Sequence, residues 1–150
     1  MKDKFASFTF AVLVLVLGGA TEEIVPRFFG VGLPVLLSAA LFMASRRTTA
    51  VTILFALAAG GVEDALAHLP TFTSASFFLA AALLVHGTET SSVAMLLAYP
   101  AYQLWLNIWL VPGGGVFLRM LVAVPLGLLT VLATESLLAR AERGAGVDER

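Results

Sequence analysis

Residues 50–70 read AVTILFALAAGGVEDALAHLP, and the way they are read settles the class of the protein. From Ala50 to Val62 there is no charge; then Glu63 and Asp64 stand side by side, His68 follows, and Pro70 ends the run. As a helix, Ala50 to Leu69 would rise about 30 Å, the thickness of a bilayer's hydrocarbon core. Charge in apolar surroundings is costly, so the two acids must lie at a water boundary, be paired, or carry a function.

Composition places the whole chain in the same class. With 150 residues, 59% hydrophobic and 13% charged, and a mean hydropathy of +0.96, there is too little polar surface to cover a soluble globule. The expected fold is all-α, an integral membrane helical bundle. A net charge of −1 without a basic tract excludes nucleic acid as an organising partner. Zero cysteines exclude disulfides, thiolate nucleophiles and Cys-ligated metals. Met1-Lys-Asp-Lys4, the apolar run Phe5–Ala20 and the small-residue exit Gly18-Gly-Ala20 have the form of a signal peptide, but the spans that follow favour a retained first span.

Breaks at Pro, Gly and charge clusters mark six apolar segments: Phe5–Ala20, Phe28–Ala44, Ala50–Leu69, Ser74–Val85, Val93–Leu110 and Val116–Leu138. The second and fourth are short for a span. The connectors, among them Pro112-Gly-Gly-Gly115, leave no room for a second domain, so residues 1–139 are expected to form one transmembrane unit and 140–150 a short, frayed polar tail. Small residues four apart, Ala56 with Gly60 and Ala40 with Ala44, allow close helix approach.

Cytoplasmic loops hold Lys and Arg. Six spans with both termini inside place Lys2, Lys4, Arg46, Arg47, Arg140, Arg143 and Arg150 in the cytoplasm, seven of the nine basic residues, and leave Arg27 and Arg119 outside. Glu22, Glu23, Glu63 and Asp64 then face outward.

Asp64 and His68, four apart, would share a helix face, with Glu63 a quarter turn away. One reading is a proton or cation site. The preferred reading is structural, because Asp64 lies about 8 Å from the outer end of its span and can pair with a neighbouring helix. Arg119 at matching depth is a candidate salt-bridge partner for Glu63 or Asp64. Glu135 is expected at the inner interface, near Arg140. Gln103 and Asn107 are expected to face another helix. Trp109 reads as an interface anchor and the deeper Trp105 as packing or a partner surface, with Tyr102 and Trp105 counted as exposed helix-packing surface for a partner. No metal or other cofactor is expected, since the only histidines, His68 and His86, fall at opposite faces. There is no Ser–His–acid set, HExxH or phosphate loop, so no enzyme is expected.

Three features in order carry a family resemblance. Thr21-Glu-Glu-Ile-Val-Pro26 with Phe29-Gly-Val-Gly-Leu-Pro34 looks like a polar turn opening a second span. Arg46-Arg47 then forms a basic turn, and Ala58-Ala-Gly-Gly-Val-Glu-Asp-Ala-Leu66 is similar to a G-x-x-x-D-x-L stretch with Asp64 as the acid. This resembles the rod shape-determining protein MreD family of the bacterial inner membrane. The chain departs from the family in having Val35 after the second proline and His68-Leu-Pro-Thr71 after the acid. The resemblance implies a non-enzymatic membrane subunit of the cell-elongation machinery, partnering an MreC-like bitopic scaffold and, through it, the peptidoglycan synthases. The alternative is a substrate-binding S component of an energy-coupling factor transporter. It shares the six-span plan and takes a vitamin or metal at the outer face, although the outer loops here are short for a lid.

Overall fold

The computed structural model describes residues 2–29, 33–86, 91–110 and 116–144, and among them there is no strand. Six helices follow one another: α1 (Lys2–Phe29), α2 (Val35–Arg46), α3 (Thr49–Leu66), α4 (Thr73–His86), α5 (Ser91–Leu110) and α6 (Val116–Gly144). Three of them, α1, α3 and α6, are long and apolar enough to cross a membrane. The chain is an all-helical protein of membrane-spanning character.

The polar turn expected at Thr21–Pro26 is helical instead, and α1 runs on to Phe29. Local bonds explain why. The Thr21 hydroxyl donates to the Leu17 carbonyl at 2.8 Å, and Glu23 pairs with Arg27 one turn later. Pro26 sits in the last turn, where a proline breaks only one backbone bond. The second apolar segment accordingly begins at Val35, not Phe28.

With 12 residues, α2 would rise only about 18 Å and cannot cross a bilayer unaided. It is the hub. Leu36 to Ala44 are all buried, and α2 packs on each of the other five helices. A helix that is apolar on every side belongs in an interior. The other five place large apolar side chains outward, for example Leu17, Leu54, Leu84, Ile108 and Leu137. An apolar centre inside an apolar exterior is the arrangement a lipid solvent calls for.

Helix α6 does not end at Leu138. It continues to Gly144, and Glu142, in the stretch expected to fray, is 1% exposed. Its carboxylate pairs with Arg47 and stands 3.6 Å from Arg46. Alongside, the His86 ring joins the end of α2 to the start of α3: Nδ1 donates to the Ala44 carbonyl at 2.9 Å and Nε2 meets the Thr49 hydroxyl at 3.0 Å. The turn between α2 and α3 is therefore locked by α4 and α6.

Candidate functional site

Helix α3 ends at Leu66, three residues before the Leu69 end expected from Pro70. Leu69 N–H bonds back to the Asp64 carbonyl at 2.9 Å, and His68 between them takes φ 53°, the left-handed cap geometry that usually selects glycine. His68 therefore leaves the helix, is exposed, and does not share a face with Asp64. The shared Asp64–His68 face that the spacing allows is not formed, because the four-residue spacing counts only while the helix lasts.

Asp64 turns to α4 instead. Phe72 precedes that helix and has no side-chain acceptor for its first amides. Asp64 supplies one from α3: Oδ1 accepts from Ser74 N–H at 2.6 Å and Oδ2 from Ala75 N–H at 3.4 Å. A carboxylate here also faces the positive end of the helix dipole. Gly60, one turn earlier, allows the approach, since a Cβ built on it would stand 2.6 Å from the Ala75 nitrogen and 2.9 Å from the Ser74 carbonyl carbon. Gly61, by contrast, has open space around it.

The same device occurs one helix pair earlier. Pro34 precedes α2 and has no capping side chain, and Glu22 of α1 accepts from Leu36 N–H at 2.7 Å. Its other oxygen, Oε2, is buried, and the carboxyl is also hydrogen-bonded to that of Glu63. It belongs to the wall of a cavity of about 580 Å³ where the end of α1, the start of α2, the end of α3 and the middle of α5 meet. Glu63 lies beside Glu22 on that wall. It accepts from the Tyr102 hydroxyl at 3.5 Å, and that hydroxyl also meets Ser74 Oγ at 2.7 Å.

Helix α5 supplies the opposite wall. Tyr99 fits because Gly127 of α6 presents no side chain to its ring. Gln103 donates to the Tyr99 hydroxyl at 2.9 Å and lines the cavity. Asn107 donates to the Gln103 carbonyl at 2.8 Å, within its own helix. Tyr102 is not the exposed surface expected of it, and of the two readings for Trp105 packing is the one the structure shows. Tyr102 is buried between Phe77 and Phe78, and Trp105 donates to the Thr73 carbonyl at 2.9 Å with its ring beside Phe77. They pin α5 to α4.

The structure thus gathers Glu63, His68 and Gln103 around one cavity, and places Asp64 at the adjoining helix junction. The Arg119 side chain, like those of Lys2, Lys4 and Trp109, lies outside the described residues, as does the Pro112–Gly115 turn. Arg140 and Arg143 are exposed on α6 and Glu135 is half-buried there. Sequence reasoning missed Glu22 as a cap and Glu142 as a lock. The signal for Glu22 was present, since α2 opens with Pro34-Val-Leu-Leu and has no acceptor of its own.

Chemically the cavity is rich in acceptors. Among the described residues Glu22, Glu23 and Glu63 line it together with Arg27, which pairs with Glu23, and His68. Among the described residues no three His, Asp or Glu side chains converge closely enough to hold a metal ion. No family model, curated protein or solved structure matches the chain.

Proposed function

We propose that this chain is a non-enzymatic, multi-pass subunit of the bacterial inner membrane. It is similar to the MreD family and acts by binding an MreC-like bitopic scaffold, and through it the peptidoglycan synthases, during cell elongation. The observation that carries the reading is the Gly60 to Asp64 junction. The stretch that resembles the family's G-x-x-x-D-x-L motif closes α3 on α4 through a glycine contact and a carboxylate cap. A motif that builds a helix junction serves assembly, and its acid is held by backbone amides away from any reacting group.

In this reading all six helices lie within the bilayer, the short α2 shielded by its neighbours. Both termini and the Arg46-Arg47 turn are cytoplasmic, and the cavity opens outward. Single cysteines test the topology in a chain that has none of its own. Arg47 is buried against Glu142, so the exposed Thr48 is the better probe, with Thr71 for the opposite face. An impermeant thiol reagent added to intact cells should label Thr71→Cys and spare Thr48→Cys; the reverse pattern rejects the orientation. Assembly is tested by co-purification with an MreC-like protein and by rounding of cells on depletion. Rod-shaped depleted cells, with no scaffold recovered, would remove this function.

The cavity favours a second reading, the S component of an energy-coupling factor transporter, because such proteins hold their ligand in an outward-facing chamber. Recovery with an ATPase pair in place of a scaffold would select it.

A further inference from the structure

We propose that the α3–α4 edge of the bundle is a lipid-contact surface that thins the bilayer beside it and fits lipids with short acyl chains. The inference goes beyond the assembly role and rests only on the membrane-spanning character of the chain.

Two polar layers bracket this edge. In one, the end of α2 and the start of α3 are joined by His86, whose ring meets the Ala44 carbonyl and the Thr49 hydroxyl, beside the Arg47–Glu142 pair. In the other, Asp64 accepts from Ser74 N–H, the Ser74 hydroxyl meets Tyr102, and Trp105 donates to the Thr73 carbonyl. Between Thr49 and Glu63 on α3, and between Thr73 and His86 on α4, there is no charged residue. The rise from Thr49 to Asp64 is about 22 Å and that from Thr73 to His86 about 20 Å. Tilt would only shorten these spans along the membrane normal. A typical hydrocarbon core is about 30 Å thick.

A short helix conflicts with that thickness only where lipid reaches it. The still shorter α2 is buried from Leu36 to Ala44, so its length is immaterial to lipid. Helix α4 is not covered in this way: Ala80, Leu83 and Leu84 are exposed, as is Leu54 on α3. At the start of α4 the Pro70–Phe72 turn is exposed as well, and Phe72 holds φ 71°. Irregular backbone that faces lipid is excluded from hydrocarbon. This turn must therefore reach the headgroups, and an apolar face of about 20 Å draws the leaflet inward to meet it.

On α1 and α5 the apolar height is greater. Exposed apolar side chains run along α1 from Phe8 through Leu17 to Phe28, about 30 Å. The exposed Ile108 of α5 stands about 9 Å past Tyr102 and its polar layer. The bilayer is thinned along one edge, not around the whole protein.

The test uses the full chain in phosphatidylcholine vesicles, with a bimane label on a single introduced cysteine, since the chain has none of its own. Ala80→Cys places the label at mid-height on α4 and Leu17→Cys at mid-height on α1, both exposed positions. Lipid with brominated oleoyl chains quenches the label, and dimyristoleoyl or dioleoyl phosphatidylcholine is then mixed in as competitor. At Ala80→Cys the shorter lipid should relieve quenching at least about 3-fold more effectively than the longer one. At Leu17→Cys the two should agree within about 1.5-fold. Helical circular dichroism equal to that of the unlabelled chain establishes that each variant is folded. Equal preference at the two sites, or preference for the longer lipid at Ala80→Cys, would overturn the proposal. So would an Ala80→Cys label that brominated lipid fails to quench, in favour of a second protein covering this edge. Co-purification with a scaffold is measured separately, so either conclusion can fail alone.

Discussion

The helix pairs α1–α2 and α3–α4 are built on one plan and closed to different degrees. In each, the second helix starts without a capping side chain, and an acid from the first helix reaches across to its opening amides. In α3–α4 the closure is complete. Gly60 brings backbone against backbone, and both oxygens of Asp64 are engaged. In α1–α2 the contact is looser. A Cβ on Gly18 would meet side-chain atoms of Leu36, the nearest at 2.9 Å, and Val35 rather than backbone, and Glu22 caps the single amide of Leu36.

The comparison breaks most visibly at the glycines. Gly60→Ala should cost about 3 kcal/mol, because the added carbon meets the Ala75 backbone, which cannot turn aside as a side chain can. Gly61→Ala should be near neutral, and Gly18→Ala should cost less than about 1 kcal/mol once Leu36 shifts. Thermal unfolding in detergent ranks the three, and an equal loss at Gly18 and Gly60 would contradict the difference in closure. The acids come next. Asp64→Leu removes the acceptor for two amides and should cost about 2 kcal/mol, whereas Glu22→Leu removes one bond and should cost about 1 kcal/mol. Protein level in membranes, read together with the melting midpoint, checks the order.

Finer variants sharpen the same contrast. Asp64→Asn keeps an oxygen for Ser74 but turns an amide nitrogen toward Ala75 N–H, so a loss of about 1 kcal/mol is expected, smaller than that of Asp64→Leu. If charge alone mattered, the two variants would match. Smallest is His68→Gly, which should stabilise by about 0.5 kcal/mol by relieving a left-handed non-glycine residue. Destabilisation there would mean that the imidazole does more than end the helix.

The all-helical class and the positions of most helices were legible because apolar run length and Pro or Gly breaks report them directly. The exposed His68 shows one limit. Its spacing from Asp64 fitted a helix face, but a five-residue backbone bond from Leu69 to Asp64 ended the helix first, and spacing alone does not reveal a cap. Glu22 and Glu23 show another. They read as a polar turn, yet each found a partner that kept α1 helical, one within the helix and one on α2. Tyr102 and Trp105 read as surface because amphipathic rings often lie at interfaces, and only packing revealed that their polar atoms reach Ser74 and Thr73. Glu142 was hidden most deeply, since its arginines lie far back in the chain.

That distance has a consequence for the order of events in synthesis. Glu142 is made 95 residues after Arg47, which at roughly 5–20 residues per second is a delay of roughly 5–20 s. Under the proposed topology, Arg46 and Arg47 first act while the early helices are entering the bilayer, as positive charge that holds their turn on the cytoplasmic side. When Glu142 arrives, the same two side chains become the hasp that fastens α6 to the α2–α3 turn. Orientation is thus fixed early and made permanent late by a single dipeptide. A chain released before Glu142 is made would be correctly threaded and still unlatched, a ready substrate for membrane quality control.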